Sequence, residues 1–100
     1  MESLFDKRTG VSVGDAKGLV KATWPFGRII LFEDRILLNA GFKNFELFYN
    51  EIELIKFMPL QVQIEHQSLT VPEHVDINGF LIPHQIRRAI AVHNLPIETA

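Results

Sequence analysis

The sequence predicts an α+β fold in which an antiparallel sheet of about six to seven strands is capped by one C-terminal helix. Three stretches predict it. Residues 28–39 contain two short apolar runs, rich in Ile, Leu and Phe and separated by Glu33-Asp34, as in a β-hairpin. Residues 60–66 alternate, with Leu60, Val62 and Ile64 on one face and Gln61, Gln63 and Glu65 on the other. That is an antiparallel strand with one wet face, because a strand buried on both sides would be continuously apolar. Residues 83–93 place Ile86, Ala89, Ile90 and His93 at helical spacing from Ile82.

Taken in order, residues 1–15 are weakly patterned and polar, with Gly10 and Gly14, and predict a flexible N-terminal arm. Residues 16–100 then form the single domain. The stretch 16–24 predicts a strand whose core face is Val20, Ala22 and Trp24. Pro25 lacks a donor and Gly27 permits a turn, so the strand is expected to end there. After the hairpin come a turn at 41–44, a strand at 45–49, a strand or bend around Ile52 and Ile55, and the alternating strand 60–66. Val75 and Ile77 mark one last short strand, closed by Asn78-Gly79. In the helix, Pro83 suits the first position, Asn94 a C-terminal cap, and Pro96 a stop beyond it.

Composition narrows the class. One hundred residues, 47% of them hydrophobic, suffice for one core, and the chain has no cysteine for a disulfide or a thiolate metal site. A net charge of −2 with interspersed signs argues against nucleic acid as a partner. The first residues have no signal-peptide core, and no apolar run approaches the ~20 residues of a membrane-spanning helix, so a cytoplasmic protein is expected. The initial Met fits a complete stand-alone protein, and a piece of a longer chain would look the same.

Two segments resemble the pleckstrin-homology-like superfold, and within it GRAM-type and bacterial pleckstrin-homology domains. Gly27-Arg28-Ile29-Ile30-Leu31-Phe32-Glu33-Asp34-Arg35-Ile36-Leu37-Leu38 is similar to their glycine, apolar strand, acidic turn and second apolar strand. Tyr49-Asn50-Glu51-Ile52-Glu53-Leu54-Ile55 is similar to the segment that follows their aromatic-rich strand. The resemblance spans about residues 16–95 and implies a bent sandwich or partly open barrel closed by a C-terminal helix. It also implies a binding module, engaging proteins in some members and lipids in others. The lipid-binding members place a basic cluster on the first strand pair; this chain has Lys17, Lys21 and Arg28 there, without a dense run.

Residues 24–26, with Lys21 and Arg28 on either side, form the sharpest candidate site. Lys21, Trp24, Phe26 and Arg28 suit an aromatic anchor for a protein or a membrane surface, since Trp and Arg dominate binding hot spots. The competing reading is that Trp24 closes one end of the core, because large aromatics are usually buried. Arg87 and Arg88, near Arg35 or Lys43, offer a lesser basic set. The pairs Glu65-His66 and Glu73-His74 would meet if their strands were neighbours, but they lack metal-ligand spacing. Ser3, Ser12 and Ser68 lie in no nucleophile motif, and no phosphate loop is present. No catalytic residue, metal or cofactor is therefore expected. The function expected is a non-enzymatic protein-interaction or self-assembly module, pairing with itself as a homo-oligomer through the Gln61/Gln63 strand if that strand is an edge. The alternative is a peripheral membrane or lipid-binding domain that uses the loop around residues 24–26.

Overall fold

The segment expected to be an arm is the strand that joins the molecule together. In the computed structural model, which describes residues 2–100, the strands are β1 (Phe5–Asp15), β2 (Gly18–Leu31), β3 (Arg35–Ala40), β4 (Lys43–Phe48), β5 (Ile52–Met58), β6 (Gln61–His66) and β7 (His74–Asn78), followed by the helix α1 (Ile82–Val92). All pairings between strands are antiparallel, in the order β4-β3-β2-β1-β7-β6-β5. The sheet curls into an open half-barrel capped by α1, an α+β pleckstrin-homology-like arrangement.

β1 corrects the expectation of a loose arm over residues 1–15, of which Met1 lies outside the described residues. Phe5 to Thr9 pair with the second half of β2, and Gly10 to Gly14 pair with β7. The pattern missed this strand because small residues fill it. Thr9, Gly10 and Gly14 are buried beside the fully buried Val11 and Val13. A Cβ at Gly10 would lie 3.3 Å from the Asn78 carbonyl oxygen, so backbones crowd where a large side chain would otherwise signal burial. The Thr9 hydroxyl satisfies itself by donating to that carbonyl at 2.6 Å.

β2 also departs from expectation, running on through Pro25 and Gly27. Its register with β1 jumps from Thr9↔Gly27 to Val11↔Ala22, so residues 23–26 bulge out opposite Gly10. The Trp24–Pro25 peptide bond is cis. Beyond the bulge β2 divides its partners: 27–31 pair with both β1 and β3, whereas 18–22 pair with β1 alone.

The helix buries Ile82, Ile86, Ala89 and Ile90, as its spacing predicts, and lies closest to β6, β1, β5 and β7. Val62, Ile64, Ile55 and Ile77 belong to the same buried cluster. From β2 the inward residues are Ala22, Ile29 and Leu31, with Ile30 half-buried. His93 is the C-cap and exposed, not part of the apolar stripe. The helix ends in a Schellman motif: the Leu95 N–H donates to the Ile90 carbonyl at 3.0 Å and the Asn94 N–H to that of Ala91 at 3.2 Å. Asn94 takes the left-handed conformation this requires, with φ +50°. The chain then turns back along β5 in parallel, with the Ile55 N–H donating to the Glu98 carbonyl and the Ala100 N–H to that of Ile55, both at 2.9 Å. Among the described residues, no helix is long and apolar enough to cross a membrane.

Tyr49 opens the short 3-10 turn between β4 and β5 and secures the β2–β3 turn. Its hydroxyl donates to the Phe32 carbonyl at 2.5 Å and its N–H to that of Asp34 at 2.9 Å. Burial, and then the negative charge of Asp34, pushes the phenol above its ordinary value. The stabilisation that follows is complete below the unfolded-state pKa of about 10 and is lost as pH rises from there toward the folded value. Urea melts from pH 8 to 11 should show the parent losing stability above about pH 10. Tyr49→Phe should start about 0.5–1.5 kcal/mol lower, for the missing hydrogen bond, and show a shallower alkaline fall. Since Tyr49 is the only tyrosine, tyrosinate absorbance reports it alone.

Candidate functional site

The β2 bulge places two large aromatics in solvent. Trp24 is 70% and Phe26 71% exposed, although the residues on either side of the bulge, Ala22 and Gly27, are buried. Trp24 is therefore not a plug of the core. A third aromatic, Phe42, stands fully exposed at the tip of the two-residue β3–β4 turn. Gly41 supplies the positive φ, +70°, that the first position of such a turn needs. The register explains the proximity of bulge and turn: Gly27, at the foot of the bulge, pairs with Ala40, at the foot of the turn.

Two grooves lie around this tip. One, of about 660 Å³, is bounded by residues 20–23 of β2 and by Phe26, Ala40, Phe42 and Lys43. The other runs from the same stretch of β2 past Trp24 to Asn78 and Gly79. The charged residues lining them are Lys21 and Lys43, with no carboxylate. The acids lie elsewhere. Glu33 and Asp34 form the turn at the opposite end of the β2–β3 hairpin, and Glu53, Glu65, Glu73 and Asp76 line a separate groove over β5, β6 and β7. The aromatic end of the molecule is thus weakly positive on a chain of net charge −2.

Of the four residues singled out in the sequence, Lys21, Trp24 and Phe26 come together here. Arg28 is engaged by Asp6: its Nε donates to Oδ1 at 2.7 Å and Nη2 donates to Oδ2. The guanidinium bonded to it holds the Asp6 carboxyl below the usual carboxylate range. Phe42 was missed in the sequence, where it belongs to a turn. Its signal was a Phe at the tip of a tight hairpin, a position that no core residue occupies.

The other candidates disperse. Arg35 is bound by Asp34 at 3.1 Å and Glu46 at 3.3 Å and lies over the Phe48 ring, while Arg87 stacks 4.6 Å from the centre of Phe57. β6 and β7 are neighbours, so Glu65-His66 and Glu73-His74 do line one groove. Both ring nitrogens of His66 are nonetheless engaged by the backbone, Nε2 with the Pro72 carbonyl at 2.9 Å and Nδ1 with the Ser68 N–H at 3.1 Å. Among the described residues, no three His, Asp or Glu side chains gather as metal ligands would. The Gln61/Gln63 strand is no edge: β6 is flanked by β5 and β7, and Gln61 donates to Asp76 at 2.8 Å.

Comparison of the chain with protein-family models, with curated proteins and with solved structures finds no match in any of the three.

Proposed function

We propose that this chain is a non-enzymatic binding module of the cytoplasm that engages protein surfaces through Trp24, Phe26 and Phe42. The supporting observation is the exposure of two large aromatics on a bulge whose two feet are fixed in a central sheet. Held in this way, the backbone of the bulge loses little further freedom on binding, which favours affinity. The kinship suggested by residues 27–38 and 49–55, with GRAM-type and bacterial pleckstrin-homology domains, belongs to the same proposal and points to binding rather than catalysis. Self-assembly is its simplest form.

Sedimentation from tens to hundreds of micromolar tests it. The parent is expected to associate weakly as concentration rises, and Trp24→Ser/Phe26→Ser to stay monomeric with unchanged melting, since both side chains lie outside the core. A parent that is monomeric throughout would remove self-assembly.

A membrane surface is the second reading, favoured by Lys21 and Lys43 beside the aromatics with no acid in the grooves. Each basic residue near anionic lipid adds about 1 kcal/mol, so the attraction is marginal and fades with salt. A blue shift of Trp24 fluorescence on phosphatidylserine vesicles at low salt would favour it; no shift would remove it.

A further inference from the structure

We infer that the first half of β2 is an open docking edge that takes up, as an added strand, an extended protein segment in which acidic and apolar residues alternate. The inference rests on the protein-interaction proposal and names the partner's chemistry.

The backbone supplies the first part. β1 and β2 are closed by the two-residue turn Ala16-Lys17, and Asp15 opposes Gly18. Residues flanking such a turn exchange both hydrogen bonds, and the exchange recurs at every second pair. Val13 with Val20 and Val11 with Ala22 are therefore bonded pairs, while the N–H and C=O of Leu19 and Lys21 point away from β1. On that outer side β3 reaches only residues 27–31. Among the described residues, nothing pairs with the outer edge of 18–22.

Of the two end strands of the sheet, neither is wholly free. β5 is already paired with the chain's own residues 98–100. On β4 the outward Phe48 N–H is capped by the Glu51 carboxylate at 3.1 Å.

Side chains define the occupant. A strand laid along Leu19 and Lys21 fills the corner where β3 parts from β2, a groove whose volume lies in the range of ligand-holding clefts. One set of its alternate residues faces the side of Val20 and Ala22, which is apolar, and the other lies beside Lys21. Lys43 stands on the opposite wall. Lys21 selects acidic residues in the second set, and Lys43, with no carboxylate in the groove, adds to the positive field they enter. A second copy of this chain would bring its own Lys21 and Lys43 against these, so symmetric self-association here stays weak.

The test uses two fluorescein-labelled octapeptides, one alternating Val and Glu and one alternating Val and Lys, read by anisotropy and by amide hydrogen exchange of the protein. The Val-Glu peptide is expected to bind, to slow exchange at Leu19 and Lys21, and to lose affinity about tenfold with Lys21→Glu/Lys43→Glu. Leu19→Pro removes a donor that the native sheet does not use, so it should keep its fold by circular dichroism and lose the peptide. No binding, equal binding of the Val-Lys peptide, or binding without protection of Leu19 and Lys21 overturns the inference. If binding then still depends on Trp24 and Phe26, the protein-interaction proposal survives it; if Trp24→Ser/Phe26→Ser binds both peptides as the parent does and vesicles alone shift Trp24, the proposal falls as well.

Discussion

Ile86→Ala is expected to destabilise the chain by about 2–5 kcal/mol. Ile86 is 1% exposed on the face of α1 that meets β6, β1, β5 and β7, so truncation removes buried methyl groups and leaves a cavity that the neighbouring strands fill only in part. The loss is a large fraction of the roughly 5–15 kcal/mol that holds a domain of this size. At about 4–8 °C per kcal/mol, the melting temperature should fall by about 10 °C or more. Val92→Ala, an exposed position on the same helix, is the control and should stay within about 0.5 kcal/mol of the parent. Equal melting of the two variants would mean that α1 does not close the half-barrel.

Gly27→Ala is expected to disturb the fold and the site together. A Cβ there would run into the Thr9 carbonyl oxygen and lie 3.0 Å from both the Val11 nitrogen and Val11 Cγ2. Two of these three contacts are backbone atoms of β1, which cannot rotate aside, so β1 and β2 must separate at the foot of the bulge. Overpacking of this kind costs about 1–3 kcal/mol. Gly18→Ala, where a Cβ would meet nothing within 4 Å, is the matched control. The distinguishing measurement is Trp24 fluorescence in the folded protein. Gly27→Ala should alter its emission and quenching by iodide, and Gly18→Ala should leave both as in the parent.

Local pattern gave up much of this fold and little of its connectivity. The hairpin at 28–39, the strand at 60–66 and the helix were legible because each is marked by large apolar side chains at a regular period. Asn94 was legible as a cap because its chemistry is local. β1 was not, since Thr9, Gly10 and Gly14 are buried by the approach of neighbouring backbones, which hydrophobicity does not record. Nor was the interior position of β6, because an edge is defined by which distant strands pair. Here the joining of β1 to β7 turns β5, and not β6, into the last strand. At residues 24–26 the composition was compatible with plug and tip alike. The register jump opposite Gly10, a property of two strands at once, decides it.

β1 bears also on the order in which the molecule can form. Both halves of β1 meet β2, close in the chain, but the other edge of its second half must wait for β7, where Gly10 finds Asn78. During synthesis the hairpins β1–β2 and β3–β4 are available early, but the sheet is unfinished until β7 has been made. Closing so long a loop is slow, and until then the β7-facing side of Val11 and Val13 is uncovered. A nascent chain halted before residue 74 would therefore display a valine-bearing strand with one open edge, a form prone to aggregate or to draw a chaperone.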